Sequence, residues 1–338
     1  MKTTTELLER LTTPSDSLIE DMKKIKGDIL VIGAGGKIGP TLSVLAKKAA
    51  RQCGADRRVI AASLFTDEET IDYLTRNDVD VINTDLLEPG ALDKLPDAPN
   101  IIYMAGRKFG TQGNQGLTWA INAYLPGLTA QRYADSRIVA FSTGNVYGMR
   151  PIHSGGALED EGLEPVGEYA QSCVGRERIL TYWSETNDTP MLLFRLNYAI
   201  DMRYGVLYDI ASAVRDQKPV DLSIGYVNCI WQADAAEYAL RSLLYCDTPP
   251  AVLNVTGPES ISVAHIAEAF GRLFDMPVEY RGAPPESSLY SNAGKMARLF
   301  GYPSVSLNQM IEWTADWLIS GGDVIDAPTH FEQRNGKF

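Results

Sequence analysis

The stretch Ile29-Leu-Val-Ile-Gly33-Ala-Gly35-Gly36-Lys37-Ile38-Gly39-Pro40 constrains this chain more than any other. Four apolar residues run into a glycine cluster, and apolar residues at helical spacing follow from Thr41 to Ala50. That order predicts a buried strand, a tight turn and a helix N-terminus. Glycines let phosphates approach the backbone, and the first turn of a helix offers unpaired N–H groups with partial positive charge. The pattern points to a diphosphate site made by Gly33, Gly35, Gly36, Lys37, Ile38 and Gly39. The spacing Gly33-x-x-Gly36-x-x-Gly39 differs from the commoner G-x-G-x-x-G, and a plain turn between packed elements is the competing reading.

The 338 residues suffice for one large α/β domain or for a core with a smaller lobe. A net charge of −12 without any basic stripe argues against nucleic acid or an anionic membrane as a partner. The first residues carry acids and lack an apolar signal core, and no apolar run reaches membrane-spanning length. A cytoplasmic protein is expected. Cys53, Cys173, Cys229 and Cys246 lie far apart without C-x-x-C pairing and read as reduced thiols, while the scattered His153, His265 and His330 argue against a metal site.

Residues 1–26 form a helical arm ahead of the first strand. From 29 onward, strand candidates 29–33, 59–63, 79–83, 100–104, 137–142 and 191–196 alternate with helical stretches 39–52, 67–76, 88–95, 114–134 and 167–186. This alternation specifies an α/β fold with a doubly wound parallel, Rossmann-like sheet over 27–196. Residues 197–338 are more mixed, with helices near 206–217, 234–246, 262–274 and 306–320 and short strands near 220–224 and 251–255. They are assigned mainly to a smaller mixed α/β substrate-binding lobe, with room for some elements to return to the core. After the second strand, Ser63-Leu64-Phe65 offers neither the acid that usually holds an adenosine ribose nor an arginine, so NAD and NADP both stay open. Thr84-Asp85-Leu86 is a candidate adenine contact, with helix capping as the alternative.

The segments Phe141-Ser142-Thr143-Gly144-Asn145-Val146-Tyr147-Gly148 and Glu168-Tyr169-Ala-Gln-Ser172-Cys173 carry a resemblance. With the glycine turn, Tyr103-Met104-Ala105-Gly106, Asn122, Arg195-Leu196-Asn197 and Leu253-Asn254-Val-Thr256-Gly257, the chain resembles the extended short-chain dehydrogenases/reductases, the NAD-dependent epimerase/dehydratase family. The resemblance covers about residues 27–320 and implies an NAD or NADP cofactor. Further implied cofactor contacts are Ser63, Met104, Ala105, Gly106, Tyr169 and Asn197. It also implies a homodimer through the two helices that flank the active-site strand. In that family a Ser or Thr at the position of Thr143 bonds the substrate oxygen, and a tyrosine at the position of Tyr169 exchanges a proton with it. A lysine four residues on lowers the tyrosine's pKa, which is near 10 when free.

That lysine is Cys173 here, and a thiol supplies no fixed charge. Three readings compete: Arg176 or Lys108 stands in as the cation, the chemistry is slow or substrate-assisted, or catalysis is lost and the protein is a cofactor-binding regulator. The candidate catalytic set is Thr143, Tyr169, Cys173 and Asn122, and the enzyme ranks ahead of the regulator. The Asp-Glu pair of the family's 4,6-dehydratases is replaced by Gly144-Asn145, which disfavours dehydration. The arginine that clamps a nucleotide diphosphate in related enzymes is Val227, which argues against a nucleotide sugar. A free sugar, polyol or sugar acid fits better, with Lys108, Thr143, Asn145, Asn197 and Arg203 as the principal candidates around it. Arg195, Tyr204, Phe109, Trp119 and Trp231 are secondary candidates.

Overall fold

Short runs that are apolar on every residue need cover on both faces, which is the setting of a parallel sheet between helices. The computed structural model describes residues 1–111, 113–325 and 329–337 and shows such a sheet. Its strands are β1 (Ile29–Ile32), β2 (Val59–Ser63), β3 (Asp80–Asn83), β4 (Asn100–Tyr103), β5 (Arg137–Thr143), β6 (Met191–Leu196) and β7 (Ala251–Val255). They lie in the order β7-β6-β5-β4-β1-β2-β3 with every neighbouring pair parallel. The order reverses between β1 and β4, and ligands bind such sheets beyond the carboxyl ends of the strands at that reversal.

The helices are α1 (Thr4–Leu11), α2 (Asp16–Lys24), α3 (Gly39–Gln52), α4 (Glu68–Arg76), α5 (Gln115–Trp119), α6 (Leu125–Arg132), α7 (Gly167–Asn187), α8 (Val206–Arg215), α9 (Gln232–Arg241), α10 (Val263–Phe274), α11 (Gly294–Phe300) and α12 (Leu307–Ile319). Thr3 and Ser15 cap α1 and α2 through their hydroxyls. Leu18, Met22 and Ile25 seat the second of these under α3 and α9 in the sheet's main core. Leu7 and Leu11 instead join the core built by α8, α10 and α12. None of the described helices is long and apolar enough to cross a membrane.

Two helices differ from expectation. The helix over 88–95 is only a 3-10 turn, Leu92–Lys94, because Pro89 and Gly90 (φ +76°) interrupt it. The helix over 114–134 is broken by a π turn, Ala120–Tyr124. Pro126 has no N–H to give the Asn122 carbonyl four residues back, so that oxygen is released from the helix ladder. The strand at 251–255 returns to the core and pairs with β6.

A buried ion pair locks α7 to the sheet. Arg195 on β6 donates to both Glu177 oxygens at 3.0 and 2.7 Å, and Ser142 on β5 donates to the same carboxylate at 2.5 Å. Arg195 also reaches the Tyr147 hydroxyl, which donates to Asn254 on β7. Removing one partner of such a pair strands the other charge. Arg195→Met is expected to lower unfolding stability by about 3–5 kcal/mol, while Arg195→Met with Glu177→Leu recovers much of it. Urea denaturation of the two variants measures both.

Candidate active site

The reversal point of the sheet opens into a cleft of about 310 Å³. At one end lies the glycine turn. Gly33 stands at φ +82°, and a Cβ there would lie 2.3 Å from the Ala105 amide nitrogen, so only glycine lets the turn press on the loop after β4. Gly36 faces the cleft, and the nearest atom to where its Cβ would project is the Gly33 carbonyl oxygen at 4.0 Å. Helix α3 starts here without a capping side chain and without an acid in its first turn. An uncapped helix start beside a glycine with open space is a fit for the diphosphate of a dinucleotide. Lys37, Ile38 and Gly39 line the same end, and Lys37 reaches across to donate to the Ala199 carbonyl at 2.8 Å.

The other end holds the polar side chains. Thr143 closes β5, and its oxygen accepts from the Asn145 amide nitrogens of backbone and side chain at 3.2 and 3.0 Å. Tyr169, in the first turn of α7, is hydrogen-bonded to the Thr143 hydroxyl and the Cys173 sulfur. Burial pushes the Tyr169 phenol above its ordinary pKa and Cys173 adds to the rise, whereas Arg176 and Thr143 oppose it. Cys173 sits behind the tyrosine among Val146, Tyr147, Ala157 and Val174, and burial raises its thiol too. Asn122 is a buried brace: its amide donates to Ser172 and to the Arg107 carbonyl, and its oxygen accepts from the Arg107 N–H and from Arg176. Met104, Gly106, Lys108, Asn145 and Asn197 complete the wall around Thr143 and Tyr169. Asn197 donates to Asn228 at 3.1 Å.

Other candidates lie elsewhere. Gly35 packs on Ser63, whose hydroxyl would be 2.9 Å from a Cβ at 35, and neither lines the cleft; Ala105 lies under Gly33. Asp85 closes a turn on the Leu87 N–H and Leu86 is buried in the core, so local packing claims both. Arg203 is held by Asp201 at 2.6 Å and Arg195 by Glu177, which draws both away from the cleft. Trp119 donates to Glu168 at 2.7 Å, and Trp231 packs edge-on against Trp313 in the lobe core. Cleft residues not anticipated include Tyr198, held at φ +40°, Gly205, Val206 and Thr329. Thr329 donates to Asp209 from its N–H and hydroxyl and accepts from Lys108 at 3.2 Å, contacts between distant positions that leave no local sequence signal. Among the described residues, no group of His, Cys, Asp or Glu is arranged to hold a metal ion.

Burial lowers Lys37 and Lys108 to pKa values of about 8. Both ammonium groups are therefore charged below that pH and lose their charge as pH rises through it. Dinucleotide binding, driven partly by charge-assisted contacts of about 1.5–3 kcal/mol each, should weaken about tenfold or more between pH 7 and pH 9.5. Fluorescence titration across that range measures it, and the Lys37→Met/Lys108→Met double variant, which lacks both titrating ammonium groups, is the pH-insensitive comparison.

The fold has counterparts among solved structures. The UDP-glucuronic acid 4-epimerase from Bacillus cereus in complex with NAD superposes with a TM-score of 0.72 at 18% identity, over 86% of this chain and 98% of that one. The dTDP-glucose 4,6-dehydratase from Bacillus anthracis gives a TM-score of 0.71 at 17% identity, over 87% and 97%. The Thermus thermophilus UDP-glucose 4-epimerase gives 0.69 at 18%, over 86% and 98%. At these identities the likeness is one of fold. No curated protein matches the sequence. Residues 29–200, half of the chain and the whole glycine-turn-to-tyrosine region, match the NAD dependent epimerase/dehydratase family. The chain belongs to the NAD-dependent epimerase/dehydratase family of enzymes.

Proposed function

We propose that the protein is an NAD(P)-dependent oxidoreductase or epimerase acting on a carbinol carbon of a free sugar, polyol or sugar acid. The observation that carries this reading is the Thr143–Tyr169 hydrogen bond, set in the cleft that the glycine turn opens onto. Thr143 orients the substrate oxygen, and Tyr169 holds or delivers the proton on that oxygen. The dinucleotide, when bound, supplies hydride exchange at the neighbouring carbon. Lys37 and the uncapped start of α3 hold its diphosphate, and Asn145 fixes the Thr143 hydroxyl.

Two features favour a small substrate that is not dehydrated. A Cβ at Gly144 would meet Ser291 Oγ at 3.0 Å and Asn197 at 3.3 Å, so the place of a dehydratase carboxylate is filled by other side chains. Val227, at the position of a diphosphate-clamping arginine, is buried in a short strand pair with Ile261. The nucleotide sugars named for the solved neighbours belong to those proteins. A homodimer fits the groove between α6 and α7, where Tyr124 and Tyr182 are each 60% exposed beside Trp183.

One observation favours a second reading, a cofactor-binding regulator without turnover: the raised Tyr169 phenol lacks the family's adjacent lysine. Tyr169→Phe separates the two. For the enzyme, turnover on a stereoisomer or oxidation substrate falls about 10²–10⁴-fold while NAD binding is kept; unchanged turnover refutes the proton role. Equilibrium sedimentation of the protein and of Tyr182→Glu tests the dimer, which the charge should split.

A further inference from the structure

We propose that Arg176 is the positioning cation of this site: from α7 it supplies the positive charge that favours proton release by Tyr169. The inference rests on the reading of Tyr169 as proton carrier and adds the group that governs it.

Four observations converge on the guanidinium. It is 4% exposed, yet it lines the cleft. Its hydrogen bonds go to neutral acceptors: Nε to the Asn122 carbonyl at 3.0 Å, Nη1 to the Phe141 carbonyl at 2.6 Å and Nη2 to the Asn122 side-chain oxygen at 3.1 Å. The adjacent carboxylate, Glu177, is committed to Arg195 and Ser142. A buried charge with neutral partners keeps its field for what faces it, because no carboxylate among the described residues forms an ion pair with it.

The surrounding sequence is shaped to place this charge. Pro126 cannot donate to the Asn122 carbonyl, and that released oxygen is the one Arg176 Nε takes. Gly106 is the second accommodation: a Cβ there would lie 3.0 Å from Arg176 Nη2, so a larger residue in the loop after β4 would push the guanidinium aside. Arg176 stands seven residues after Tyr169 and three after Cys173, which puts all three on one face of α7.

Among the described residues, the groups that act on Tyr169 include the Thr143 hydroxyl from β5 and, from its own helix, the Cys173 thiol and Arg176. Of these, Arg176 alone is a cation. Lys37 and Lys108 enter the cleft from the turn after β1 and the loop after β4, but their ammonium groups donate to Ala199 and Thr329 on the lobe side. A thiol at 173 is tolerated because the charge arrives from one turn further along the helix.

The test reads Tyr169 directly and needs no substrate. A trifluorotyrosine placed at 169, whose phenol ionises near neutrality in water, brings the titration into reach of fluorine NMR in the full-length protein. Arg176→Gln should raise the ionisation pH by about one unit or more, and Arg176→Lys should stay closer to the parent. No rise in Arg176→Gln overturns the proposal. Should Arg176→Gln fail to fold, Arg176→Met takes its place, with the same rise expected and an unchanged ionisation pH overturning the proposal. Failure here leaves the activity reading standing, whereas turnover unaffected by Tyr169→Phe would defeat that reading and leave this titration unchanged.

Discussion

Everything reactive in this molecule depends on where α7 lies, and the buried Glu177–Arg195 pair fixes it. One carboxylate gathers donors from β5 and β6, and through Tyr147 and Asn254 the network extends to β7. A carboxylate and a guanidinium cost several kcal/mol each to desolvate, so the pair is a weak source of net stability. Its value is geometric: it allows one register of helix against sheet, and that register sets Tyr169 beside Thr143.

The same pairing logic gives the cleft its sign. The chain as a whole is acidic at −12, yet Lys37, Lys108 and Arg176 face one small cavity. Three carboxylates near them are occupied, Asp201 by Arg203, Glu177 by Arg195 and Asp209 by the hydroxyl and amide of Thr329. Positive potential is thereby concentrated in the cleft proposed for the anionic dinucleotide, while the net negative charge of the chain disfavours other polyanions.

Most of the sheet was legible in the sequence because its determinants are local. Apolar runs, the glycine turn and helical periodicity act within a few residues of where they appear. The turn residues, Thr143, Tyr169 and Asn197 came from the same kind of signal joined to a family resemblance. What escaped was decided by partners far along the chain. Arg203 and Arg195 read as cleft arginines until Asp201 and Glu177 are seen to hold them. Thr329 gives no hint of its place because its contacts lie more than a hundred residues away. The broken helix around Asn122 was in principle readable, since Pro126 is plain in the sequence, but the partner of the released carbonyl was not.

The position of β7 has a consequence for how the molecule can be divided. The strand that completes the sheet beyond β6 is delivered only after the chain has passed through α8 and α9. A fragment ending at Leu196 would leave Met191-Leu-Leu-Phe-Arg-Leu as an unpaired apolar edge, a template for aggregation. Closure of the sheet is thus a non-local event, and such closures slow folding and tie it to the whole chain. Exchanging lobes between relatives would accordingly need two junctions, one on either side of the returning strand.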